Sequence, residues 1–179
     1  YGVYPDIAVF AKSMANGYAM AAILGKNNVM EAAQSTFISS TNWTDRIGPT
    51  AAISTIEKYI EENAHEHLIR IGNRVKDIWR EAAKEAGLEI EISGLPTLAN
   101  FAFKHSKSKD LNTRFVSEML KHGFLAFRQF KPSLAHTDQD IDSYEKATKE
   151  TFTLLSSLSE ARIAESPLAH DGFSRLTKE

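Results

Sequence analysis

An uninterrupted apolar run, Ile7-Ala8-Val9-Phe10-Ala11, ends directly in Lys12, and small residues with an Asn16-Gly17-Tyr18 turn follow. The run predicts a buried strand, which commits the first part of the chain to a sheet. An ammonium at the end of such a strand must be solvated, paired or kept neutral. Two readings are open for Lys12. It leaves the core and snorkels to water, or it stays neutral and attacks an aldehyde, as a Schiff-base lysine must.

A second apolar run, Ala21-Ala22-Ile23-Leu24-Gly25, can pair with the first across the turn. Asn27-Asn28 predicts the cap of a short helix running through Met30 and Ala33. Residues 34–46 are polar and rich in Ser, Thr and Asn, with Trp43 embedded. A long ordered loop of this kind is more often functional than connecting. From Ile47 the pattern turns helical, with Pro49 in the first turn and Ile53, Ile56 and Ile60 at helical spacing. Leu68, Ile71, Val75, Ile78, Trp79 and Ala82 form the stripe of a second helix, closed by Gly87.

Beyond it, Leu88 to Ile92 alternates strictly and reads as a half-buried strand, with Leu98 to Phe103 as its neighbour across Gly94 and Pro96. Residues 110–122 read as a helix, Phe124 to Phe127 as a third short strand, and Thr137 as the N-cap of a last helix through Leu158. The polar tail from Glu165 offers Leu168, Phe173 and Leu176 as anchors. The pattern changes near Asn63 to His67. The expectation is a piece of a larger α/β domain over residues 1–62, then a small α+β domain over 63–179.

Several function classes drop out. A net charge of −2, with bases scattered among acids, gives no field for nucleic acid or anionic membrane. No run approaches the ~18 apolar residues of a membrane span, and no signal peptide is visible. The absence of cysteine excludes disulfides, Cys-ligated zinc and thiol catalysis, and suits a cytoplasmic setting. The histidines at 65, 67, 105, 122, 136 and 170 lack metal-ligand spacing. His136, in an apolar-flanked loop, has a structural hydrogen-bonding role as its simpler reading. Arg128 reads as a surface arginine, with a substrate carboxylate as the rival partner. No Walker loop, dinucleotide fingerprint or nucleophile elbow is present.

What remains is Lys12 and the hydroxyl-rich loop from Thr36 to Thr44, directly before a helix. Such a loop can serve as a cap or receive a phosphate, since hydroxyls and free amides donate and the helix dipole favours an anion. An imine-forming lysine and a phosphate loop are two halves of a pyridoxal phosphate (PLP) site.

Pro5-Asp6, the apolar strand, Lys12, Asn16-Gly17-Tyr18 and Ala22-Ile23-Leu24-Gly25 together resemble the class III (ω-type) aminotransferases of PLP fold type I. The resemblance implies the C-terminal part of a three-layer α/β/α large domain followed by the small α+β domain. It implies that Lys12 carries PLP as an internal aldimine and acts as the proton-transferring base and acid. It places Thr44, beside Trp43 in Trp43-Thr44-Asp45-Arg46-Ile47-Gly48-Pro49, at the cofactor phosphate across a homodimer interface. The partners implied are a small-molecule amino donor and an oxo acceptor.

The Trp-Thr-acid-Arg motif, Ser133 to Thr137 and the tail His170-Asp171-Gly172-Phe173 are similar to a branch near glutamate-1-semialdehyde aminomutase. Intramolecular amino transfer is therefore a rival to ordinary transamination, and a non-catalytic interaction module is a rival of another class. Ala19 stands where the family has proline, and Ser13-Met14-Ala15-Asn16 replaces a more glycine-rich loop. Asp6 belongs to the lysine strand and is not the family's pyridinium-pairing aspartate. That aspartate and the ring-stacking aromatic are expected before Tyr1, in a protein roughly twice as long.

Overall fold

The computed structural model describes residues 2–163, so the tail motif at 170–173 and the anchors Leu168, Phe173 and Leu176 lie outside the described residues. The chain divides into two compact units, Tyr1–Ala64 and His65–Glu179.

In the first unit, β1 (Ile7–Phe10) and β2 (Ala22–Gly25) form an antiparallel hairpin in which Ile7 faces Gly25 and Phe10 faces Ala22. Pairing follows the expectation; burial does not. Val9 is 66% exposed and Phe10 50%, because β1 has a neighbour on one edge only within this two-stranded sheet. A four-residue helix, α1 (Asn27–Met30), tightens into a 3-10 turn over Glu31–Ser35. Its N-cap is Lys26, without a side-chain bond, so Asn27 and Asn28 sit inside the helix rather than capping it. The long helix α2 (Ile47–Glu61) follows, with Pro49 in its first turn, where a missing N–H costs nothing.

The second unit is built on α3 (Ala64–Ala86), whose buried stripe is Ile71, Val75, Ile78, Trp79 and Ala82. Gly87, at φ +70°, ends it in the left-handed conformation that glycine adopts without strain, and the Leu88 N–H reaches back to the Ala83 carbonyl at 2.9 Å. Then come β3 (Ile90–Ser93), β4 (Ala99–Phe103), α4 (Ser108–Lys121), β5 (Gln129–Phe130), α5 (Asp138–Ser157) and the short α6 (Glu160–Ile163). The strands form an antiparallel sheet in the order β3-β4-β5. Register places Ile90 opposite Phe103 and Ile92 opposite Phe101, so the apolar residues of both strands share one face.

That face packs on α3, α4 and α5 around an aromatic core. The Phe101 ring lies 4.8 Å from Trp79, 5.1 Å from Phe115 and 5.7 Å from Phe152, centroid to centroid. Removing any one of these rings costs about 3–5 kcal/mol. The Trp79 indole donates to the Tyr144 hydroxyl at 2.9 Å, which satisfies the polar ends of two buried side chains.

The third strand is not at 124–127. It is β5, where Phe130 pairs with Ala99 and Gln129 with Asn100. Residues 124–127 do alternate, with Phe124 and Ala126 against the core and Leu125 94% exposed. Alternation reports burial on one face, and here it does so without ladder bonds. The expected cap of α5 is present: Thr137 and Asp140 form a reciprocal capping box. Arg70 and Arg74 of α3 reach the carboxylates of Asp138 and Asp142 at the start of α5.

Candidate active site

Lys12 lies beyond the end of β1, with Ala11 between, and opens a 3-10 turn, Lys12–Ala15. Ala11, the residue after the strand, is extended, and Lys12 then takes φ +54°, the left-handed region. For a residue with a Cβ this costs about 1–2 kcal/mol. Three backbone bonds hold the turn: Met14 N–H to Ala11, Asn16 N–H to Ser13 and Tyr18 N–H to Ala15, at 3.2–3.3 Å. Ala15, fully buried, anchors it, and the turn packs on α2. Strained non-glycine backbone concentrates at functional positions, where the surroundings over-determine it. Among the described residues the Lys12 ammonium has no hydrogen-bonding or ionic partner.

Asp6 lies at the other end of the same strand. Five residues of extended chain, six residue steps, separate it from Lys12, about 20 Å at ~3.3 Å per step. Its carboxylate is held by Lys26 at 2.6 Å.

Thr41 to Thr44 form a turn, in which the Trp43 N–H donates to Ser40 and the Asp45 N–H to Asn42. Thr44 is exposed and Trp43 is 65% exposed. The Asp45 carboxylate accepts the Ile47 N–H at 2.9 Å, a capping contact that the sequence pattern did not single out. Thr50 N–H is taken by the Arg46 carbonyl, and Pro49 has no N–H. The first turn of α2 thus leaves only the Gly48 amide, so an anion here would depend on hydroxyls more than on helix amides.

The two segments meet through α2. Tyr18, from the loop after the lysine turn, lines a cavity of about 360 Å³ with Arg46, Ile47, Thr50 and Ala51. A larger cavity of about 760 Å³ lies behind the turn, walled by apolar groups that include Phe10, Met14, Leu24, Ala52 and Ile56.

Other candidates resolve into structural roles. His136 Nδ1 accepts the Ser133 N–H at 2.9 Å, and its ring packs 5.1 Å from Phe130. Arg128 stacks its guanidinium over Phe127 at 5.6 Å, and its carbonyl receives the Phe101 N–H. Among the described residues no three His, Asp or Glu side chains gather as metal ligands, and no helix is long and apolar enough to cross a membrane.

The fold is that of the PLP fold type I transaminases. FumI of Sphingopyxis sp. MTA144, solved in its PLP internal aldimine form, superposes with a TM-score of 0.80 at 26% identity, over 90% of this chain and 41% of that one. An ω-transaminase from Sphaerobacter thermophilus gives 0.75 at 15% identity, over 86% and 40%, and speaks for the fold alone. The aminotransferase class-III family pattern matches residues 1–151, and the chain belongs to that family. The 3-aminobutyryl-CoA aminotransferase of Cloacimonas acidaminovorans (strain Evry) is 29% identical over 165 residues, 85% of this chain and 38% of its own length. The chain therefore spans about two fifths of the proteins it matches.

Proposed function

We propose that the chain is the lysine-bearing, C-terminal portion of a PLP-dependent aminotransferase, with Lys12 as the catalytic amine. The observation that carries this reading is the unpartnered lysine in left-handed backbone at the end of a strand. Its chemistry fits the cofactor: one free amine for an aldehyde, and hydroxyls and an indole from residues 41–44 for a phosphate and its surroundings.

PLP, when bound, supplies an electron sink for charge developing on the substrate carbon. Lys12 Nζ would hold the cofactor covalently. Released from that bond when the substrate amine displaces it, the same Nζ would be free to shuttle the proton between the amino-bearing carbon of the substrate and the cofactor, and to run the transfer backwards in the reverse half of the cycle. Thr44 and Trp43 would hold the phosphate end, contributed across a homodimer interface to the partner's lysine. The exposure of Phe37 at 96%, Ile38 at 55% and Trp43 at 65% supports such an interface. The pyridinium-pairing acid and the ring-stacking aromatic belong to residues outside this sequence. Small-molecule amino donors and oxo acceptors are the substrates in this reading, and a cytoplasmic location goes with it.

In the intact enzyme, Lys12→Ala should abolish the visible absorbance of the lysine-bound cofactor; an unchanged spectrum would sink the assignment. An aminomutase of the glutamate-1-semialdehyde type would use the same residues, and Trp43-Thr44-Asp45-Arg46 supports it. Turnover of a single amino-aldehyde without added oxo acid would select it over intermolecular transfer. A chain that folds as a stable monomer and takes up no PLP would instead be the interaction module.

A further inference from the structure

The cavity of about 360 Å³ beside the first turn of α2 is lined by Tyr18, Arg46, Ile47, Thr50 and Ala51. Its volume is that of a small-molecule pocket. Three of these side chains are hydrogen-bond donors, and none is engaged: among the described residues the Arg46 guanidinium, the Tyr18 hydroxyl and the Thr50 hydroxyl have no partner. Farther along the same helix the Thr55 hydroxyl folds back on the Ala51 carbonyl at 2.7 Å, as helical threonines commonly do; Thr50 makes no such bond. No carboxylate lines the cavity, and the neighbouring Asp45 takes the Ile47 N–H instead. Ile47 and Ala51 add an apolar wall.

We propose that Arg46, with Tyr18 and Thr50, binds a carboxylate carried by the substrate. A guanidinium presents two parallel N–H donors that match the two oxygens of a carboxylate, and the hydroxyls can donate to the lone pairs left over. One cation balances one carboxylate, whereas a phosphate dianion would keep an uncompensated charge. The proposal rests on the reading above, in which Thr44 serves the site of the partner's Lys12. Arg46 follows Thr44 by two residues, about 7 Å of chain at most, so it serves the same site as Thr44. No spacing to the lysine of its own subunit enters. The substrate class that follows is an amino acid or oxo acid with a carboxylate besides its reacting centre, in preference to a neutral amine.

The test uses the full-length protein loaded with PLP and needs no knowledge of the natural substrate. Aminooxyacetate, 4-(aminooxy)butanoate and methoxyamine all condense with the cofactor aldehyde and release the lysine, which bleaches the visible band; only the first two carry a carboxylate. The wild-type protein should react faster with at least one of the acids than with methoxyamine. Arg46→Gln should lower that preference about tenfold or more, the scale of a charge-assisted bond, and Tyr18→Phe and Thr50→Val about threefold each. Arg46→Lys, which keeps the charge but loses the fork, should fall between wild type and Arg46→Gln, and it keeps the test decisive should Arg46→Gln not fold. A wild type without preference at either length, or variants in which acid and methoxyamine rates fall in step, would overturn the proposal. So would a loss of PLP affinity in Arg46→Gln with the preference intact, which would assign the guanidinium to the cofactor phosphate. A wild-type protein that takes up no PLP would overturn the function proposed above and this site with it, a result read before any variant is made.

Discussion

Asp6 and Lys26 close the open end of the β1–β2 hairpin twice over, by a 2.6 Å ion pair and by a backbone bond from the Lys26 N–H to the Asp6 carbonyl at 3.0 Å. The acid of the lysine strand is thereby committed to a neighbour at the end remote from Lys12. Asp6→Asn is expected to leave the visible spectrum and affinity of the PLP complex unchanged. Both groups of the pair are more than half exposed, so the stability lost should stay below about 1 kcal/mol by denaturant titration. A collapse of cofactor binding in this variant would mean that Asp6 does reach the site.

Thr44→Val removes a hydroxyl while keeping the side-chain shape. PLP affinity should fall about tenfold or more, the scale of one charge-assisted hydrogen bond at ~1.5–3 kcal/mol. Thr41→Val, in the same turn, is the comparison: a loss at residue 41 with none at 44 would move the phosphate contact to Thr41.

The proposed sharing of the site across a dimer predicts complementation between subunits. Lys12→Ala and Thr44→Val subunits, each defective alone, should regain cofactor binding when co-expressed, because one of the two mixed sites then carries both native residues. Mixed dimers that remain as defective as the separate variants would place both residues in one subunit's site.

Burial pushes the Tyr144 hydroxyl up to about 12, with the Trp79 indole N–H acting in the opposite direction. The unfolded chain ionises this group near 10 while the native protein keeps it neutral. Stability is full below pH 10 and falls as pH rises from 10 toward 12, by roughly 3 kcal/mol at ~1.36 kcal/mol per unit. Tyr144→Phe should flatten that alkaline limb in thermal melts, at the cost of leaving the Trp79 N–H without its acceptor. A limb of unchanged slope would assign it to other groups.

At the acid end, the Arg70 guanidinium holds Asp138 below the usual carboxylate range, and the Thr137 hydroxyl and amide do the same for Asp140. Depressed carboxylates contribute stability above their unfolded value of 3.8, and it is lost as pH falls through the lower native values. Thr137→Ala should cost about 1 kcal/mol at neutral pH and less at the acid end of the titration. An equal cost throughout would show that the cap bond does not depend on the ionised carboxylate.

The sequence by itself determined the pairing of the first two strands, the stripe of α3 through Trp79, the Gly87 stop, the Thr137 cap and the candidacy of Lys12. Each is a local matter: periodicity, turn chemistry, or one ammonium placed after an apolar run. Only the tertiary structure decided the rest, because the rest depends on neighbours distant in the chain. The third strand is at 129–130 rather than 124–127 because β4 supplies ladder partners there, while Phe124 and Ala126 are buried without any. Asp45 takes the first amide of α2, and Asp6 belongs to Lys26, twenty residues away. The left-handed backbone of Lys12, and the bare Cα of Gly48 against the Ala19 carbonyl, arise where a strand, a turn and a helix must share one small volume.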